Sequence, residues 1–168
     1  MMKFLTAAMC FILSMYVASA EASTCYSMAE MEAEQGLRIH SELMVISLNC
    51  QHMSHDRGNL YILYREFTRK HKDLIANYER SMMSYFTRAG YRSPENALHS
   101  LRTDLANKVA EDAANMRPDL FCRAYSNRIP DALQLTRAQV KGWAAKVHPG
   151  MSLTKPICAN ADKKYNKG

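Results

Sequence analysis

A chain of 168 residues is the size of one domain, and a formal charge of +6 favours anionic surroundings or simply keeps the chain in solution. Only six glycines are present, which argues against a phosphate-cradling loop. After residue 17 no stretch is apolar enough to span a bilayer, which takes about 20 residues.

The chain opens like a secretory leader. Met1-Met2-Lys3 supplies a short positive region, and residues 4–17 are apolar apart from Thr6 and Ser14. Ala18-Ser19-Ala20 offers small residues at the positions that signal peptidase reads, so residues 1–20 are expected to be removed, with Ala22 an alternative cleavage point. Of the charges only Lys3 would be lost, leaving residues 21–168 at +5 as one helical domain. Cys10 lies inside the apolar run, and Thr24 is a poor residue to precede a lipidated Cys25. The expected address is the periplasm or the exterior, away from nucleic acid.

Helical spacing runs through almost everything that follows. Residues 27–53 read as a first helix, with Leu37, Met44 and Leu48 on one stripe and Ile39, Leu43 and Ile46 beside it. Gly36 costs this helix about 1 kcal/mol relative to Ala and marks a point for a kink or a break. A polar connection, Ser54-His55-Asp56-Arg57-Gly58, precedes the strongest helical pattern. There Leu60, Leu63, Tyr64, Phe67, His71, Leu74, Ile75, Tyr78, Met82, Tyr85 and Phe86 recur at three- and four-residue steps. Gly90 suits its C-cap.

Ser93-Pro94-Glu95 is a helix start: an N-cap, a proline in the first turn and an acid at the positive end of the dipole. Leu98, Leu101, Leu105, Val109, Ala113 and Met116 then form a buried stripe ending before Pro118. A shorter helix is expected over 119–126, broken by Pro130. Thr136 caps another over 137–147, stopped by Pro149-Gly150. From about residue 151 an irregular, basic tail is expected. These elements predict an all-α fold, an antiparallel bundle of about four helices.

Four cysteines follow the leader: Cys25, Cys50, Cys122 and Cys158. An even count in an exported chain predicts two disulfides, with three possible connectivities. A straight helix over 26–50 would hold Cys25 and Cys50 roughly 35 Å apart, whereas a disulfide tolerates Cα separations of about 7 Å. Alternating helix directions then bring Cys50 beside Cys122 at one end and Cys25 beside Cys158 at the other. Each closes a long loop, worth about 4 kcal/mol in the chain-entropy picture.

The densest set of chemical side chains is Cys50-Gln51-His52-Met53-Ser54-His55-Asp56. Thiolate, thioether and imidazole suit copper or zinc, but an oxidised Cys50 leaves only His52, His55 and Met53 as candidate ligands. No metal or other cofactor is therefore expected. His40 with Glu42, and His71 with Asp73, are conceivable acid–base pairs, but residues two apart on a helix do not face each other. Arg65, Arg69, Lys70 and Lys72, with Tyr61 and Tyr64, make a basic patch suited to lipid head groups or an acidic partner, or simply a solvated face. The chain lacks Cys-x-x-Cys, His-Glu-x-x-His and Gly-x-Ser-x-Gly.

Three segments carry a resemblance. Ser41-Glu-Leu-Met-Val-Ile-Ser-Leu-Asn-Cys50-Gln-His-Met53, residues 59–67 from Asn59-Leu-Tyr to Arg65-Glu-Phe67, and residues 101–122 ending in Met116-Arg-Pro-Asp-Leu-Phe-Cys122 look like small exported helical proteins of Gram-negative bacteria that carry no assigned function. The resemblance implies a periplasmic address and transfers no active residue. The expected role is a non-catalytic interaction or binding module of the envelope, with a protein or an anionic envelope component as partner. A periplasmic copper- or zinc-handling protein is the alternative, and an envelope enzyme with dispersed catalytic residues comes third.

Overall fold

A computed structural model describes residues 24–52, 56–147, 152–159 and 161, and these are helical with no strand longer than an isolated bridge. The expected leader, Met53 and His55, and the basic end of the tail lie outside the described residues.

Helix α1, Met28–Asn49, begins with a capping box. The Glu30 backbone N–H donates to Ser27 Oγ at 3.3 Å, and the Ser27 N–H donates to Glu30 Oε2 at 2.8 Å. Gly36 does not break the helix. A Cβ placed there would overlap the ring of Tyr78, so the glycine marks where a neighbouring helix comes closest. Leu37, Ile39, Leu43 and Ile46 are buried as their spacing requires, but Leu48 is 44% exposed.

The strong apolar pattern over 60–86 forms two helices, α2 (Leu60–Lys70) and α3 (Lys72–Arg88). Asn59 caps α2, its side chain accepting from the Ile62 N–H at 3.1 Å. The two helices part at His71 alone, whose ψ of 15° departs from helical geometry. His71 still donates to the Phe67 carbonyl and accepts from Leu74 and Ile75, each at 3.0 Å, so the apolar stripe continues across the joint. Gly90, at φ 78°, ends α3 in the left-handed region that favours glycine.

Helix α4, Pro94–Ala114, starts at the Ser93 cap, but only Leu98, Leu101 and Leu105 of its stripe are buried. Val109, Ala113 and Met116 lie nearer the surface. Helix α5 is Pro118–Tyr125. Contrary to the expected break, Pro130 lies within a helix: it sits in the first turn of α6 (Arg128–Gln134), where no intrahelical N–H bond is lost. Helix α7, Arg137–Ala144, carries a Thr136–Gln139 capping box.

The layout is a hub rather than a ring. Among the described residues, helix α1 touches all six other helices; α3 packs on α4, and α2 packs on α6. The segment after α7 returns to the start of α1. Tyr26 donates to Pro156 O, and Cys158 donates to Tyr26 O, both at 2.8 Å. This parallel bridge, Tyr26 with Ile157, is held by the Cys25–Cys158 disulfide, whose Cα atoms are 5.0 Å apart. The second disulfide, Cys50–Cys122, joins the end of α1 to α5 with Cα atoms 5.6 Å apart. Both pairings are the expected ones.

Two outcomes follow. Gly36→Ala gains about 1 kcal/mol of helix propensity but overpacks against the Tyr78 ring at about 1–3 kcal/mol, so chemical denaturation should show a net loss of stability. A second change, Tyr78→Leu, should recover part of the Gly36→Ala defect. Under graded reductant, the partly exposed Cys25–Cys158 bond should open before Cys50–Cys122, whose residues are 0% and 2% exposed. Mass spectrometry with thiol alkylation reads that order.

Candidate functional site

An unusual amount of charge is buried along α1. Glu30, Glu32, Glu34, Arg38, His40 and Glu42 are all less than a tenth exposed. Such groups are tolerated only when each finds partners. Glu30 takes two contacts from Arg88 Nη2 at 2.8 and 2.9 Å. Glu32 accepts from the Tyr78 hydroxyl at 3.2 Å, with Lys141 at 3.8 Å. Glu34, fully buried, accepts from Arg38 Nη2 at 2.9 Å, from the Thr154 N–H at 3.1 Å, and from the Thr154 hydroxyl. Glu42 pairs with Arg128. His40 Nε2 lies 3.0 Å from the Tyr64 hydroxyl and 3.2 Å from Thr68 Oγ1.

One side of this charged helix faces a cleft of about 180 Å³. Arg38, Glu42 and Ile46 stand at four-residue steps on α1 and form one wall. Lys108, Val109 and Asp112 of α4 form another, and Phe121 and Tyr125 of α5 with Arg128 close the third side. Three cations from three helices therefore meet over an apolar surface. The guanidinium of Arg128 lies 4.9 Å from the centre of the Tyr125 ring, and burial lowers its pKa.

Arg38 is the deepest of the three, at 5% exposure. Its Nη2 also donates to Ser152 O at 3.1 Å, yet its buried Nε has no hydrogen-bond partner among the described residues. Lys108 Nζ donates to Ser152 Oγ at 3.3 Å, so Ser152 fastens to two of the cations lining the cleft. Asp112 forms no ion pair with a described residue.

The side chains singled out from sequence are mostly elsewhere. Cys50 is in a disulfide and offers no thiolate; His52 is exposed in the turn after α1. Among the described residues, no group of three or more His, Cys, Asp or Glu could hold a metal ion. His40 and Glu42 have separate partners, so they are not an acid–base pair. His71 is buried against Phe67, with ring centroids 4.8 Å apart, while Asp73 is exposed. Arg65, Arg69, Lys70 and Lys72 are exposed, as a basic patch requires, whereas Tyr64 turns inward.

Sequence reasoning missed Arg38, Lys108 and Arg128. The available signal was the Arg38–Glu42–Ile46 spacing, which mixes two charges into a stripe that ought to be apolar if buried. Comparison with family models, curated proteins and solved structures finds no match, so no relative assigns a role to these residues.

Burial, and secondarily the charge of Arg102, lowers the His40 pKa to about 4. The unfolded ring binds its proton near 6.5, so between about pH 6.5 and pH 4 the unfolded chain holds more protons than the folded one. The stability conferred by the neutral ring is complete above that window and is lost as pH falls through it, by about 3 kcal/mol. Burial lowers the pKa of His71 as well, which acts in the same direction. His40→Gln should flatten the pH dependence across this window relative to wild type, measured by denaturant titration at several pH values.

Proposed function

We propose that the chain is an exported, non-catalytic helical binding module of a bacterial envelope, periplasmic or secreted, and that its ligand occupies the cleft between α1, α4 and α5. The ligand class is a small molecule bearing a carboxylate on an apolar body. In this reading α1, the α2–α3 pair, α4 and the α5–α7 run act as the four members of an antiparallel bundle built around the site.

The observation that supports this most is Arg38. A buried cation with an unused donor lines a cleft that already holds Lys108 and Arg128. Arg38 is paired with Glu34 and Arg128 with Glu42, while Lys108 has no carboxylate partner among the described residues, so an entering carboxylate adds its counter-charge there, and charge-assisted bonds to such groups are the strong ones. Ile46, Val109 and Phe121 supply the apolar surface for the rest of the ligand. Sites for drug-sized ligands run to about 300–1,000 Å³, so a cleft of about 180 Å³ fits a small ligand. Two disulfides and the leader-like residues 1–20 support the oxidising address. No described helix is long and apolar enough to cross a membrane.

Titration calorimetry with small aromatic and aliphatic carboxylates, each beside its neutral amide, tests the reading. The acids should bind and the amides should not. Lys108→Met, at an exposed position, should weaken binding about tenfold without unfolding the protein. Equal binding of acid and amide, or no binding of either, would overturn the assignment.

A further inference from the structure

We propose that the outer face of α2 is a docking surface for the head-group region of an anionic phospholipid bilayer. This inference is independent of the cleft, whose lining includes no residue of α2.

Tyr61, Arg65 and Arg69 succeed one another at four-residue steps along α2, with Ile62 beside Tyr61, and Lys72 continues the row at the opening of α3. All five are exposed. The opposite face, Leu60, Tyr64 and Phe67, is buried. Helix α2 is thus anchored by one side, and the other side is exposed.

The cations of this row are uncommitted. Arg88, Arg102 and Arg128 are each paired with a carboxylate, and Lys70 Nζ donates to Leu133 O at 2.6 Å, closing the end of α6. Arg65, Arg69 and Lys72 make no ion pair or side-chain hydrogen bond with a described residue. Glu66 and Asp73 flank the row without pairing to it. Surface arginines placed for stability would be expected to use such neighbours.

At one end of the same row the exposed side chains are apolar. Ile62 is 55% exposed and Tyr61 38%. Cations beside an aromatic and an aliphatic group suit the boundary between head groups and acyl chains, where tyrosine sits with its ring in the apolar layer and its hydroxyl in water. A bilayer also needs no concavity. Neither the α1–α4–α5 cleft nor the more open groove beside Phe86 and Tyr91 is lined by a residue of this face. The net charge of residues 21–168, +5 after loss of Lys3, supplies long-range attraction of the right sign.

Co-sedimentation of the oxidised protein with vesicles tests the proposal, using phosphatidylcholine alone and phosphatidylcholine with about 30% phosphatidylglycerol. Binding is expected only to the anionic vesicles, and should fall steeply in high salt. Arg65→Glu with Arg69→Glu should reduce partitioning more than about tenfold, since each cation near an anionic surface contributes a several-fold gain. Tyr61→Ser with Ile62→Ser should also reduce it while every charge is kept. Both double variants change exposed positions, and circular dichroism with carboxylate titration verifies that fold and cleft are intact. Equal binding to both kinds of vesicle would overturn the proposal, as would an unaffected Arg65→Glu, Arg69→Glu variant. Retention on an acidic polypeptide without partitioning into vesicles would overturn it in favour of a protein partner.

Discussion

The Glu34 carboxylate, with no exposure to solvent, is the constraint around which the rest of the molecule is arranged. Removing such a group from water is expensive unless its lone pairs are used and a cation stands beside it. Arg38 supplies the cation from one turn further along the same helix, and Thr154 supplies two donors from a segment 120 residues away. The Thr154 hydroxyl in turn lies 2.7 Å from the Tyr26 hydroxyl, which burial keeps protonated. A helix carrying this carboxylate has to be surrounded, and α1 is: every other helix of the described residues packs on it. Losing one partner of a buried pair typically costs about 3–5 kcal/mol, a large share of the stability of any small domain.

That constraint also explains why chemistry gathers where it does. A central helix with charges on several sides cannot bury them all equally, and the wall bearing Arg38 and Glu42 opens onto the cleft. Arg38 is satisfied on the side of Glu34 and left with an idle Nε. The same residue is therefore a structural partner and a feature of the candidate binding surface. The outer face of α2 is governed by a different rule. Its cations Arg65 and Arg69 make no ion pair or side-chain hydrogen bond with a described residue, so they take no part in the buried network.

Much of this was readable from spacing alone, and the failures have identifiable causes. The α3 stripe of Leu74, Tyr78, Met82, Tyr85 and Phe86 is buried because three- and four-residue steps leave a helix no other solution. Ser93-Pro94 starts α4 because each residue there suits its position in the first turn. The cysteine pairs follow from helix direction and reach. Gly36 deceived because glycine weakens an isolated helix, while here the absence of a side chain admits the Tyr78 ring. Pro130 deceived because proline is forbidden in helix interiors but not in a first turn. The site was the least legible part. Arg38, Lys108 and Arg128 belong to three separate helices, and no local pattern reveals that α1 is the helix at the centre.

The span between Glu34 and Thr154 bears on the order of assembly. A ribosome delivers the amino end first, so α1 exists long before Thr154 has emerged. Until it does, the carboxylate lacks two of its donors and has reason to stay hydrated, which holds the central helix away from a dry interior. Completion of the fold is thereby deferred until nearly all of the chain is present. The last strap to arrive is thus also the one that lets the first helix close.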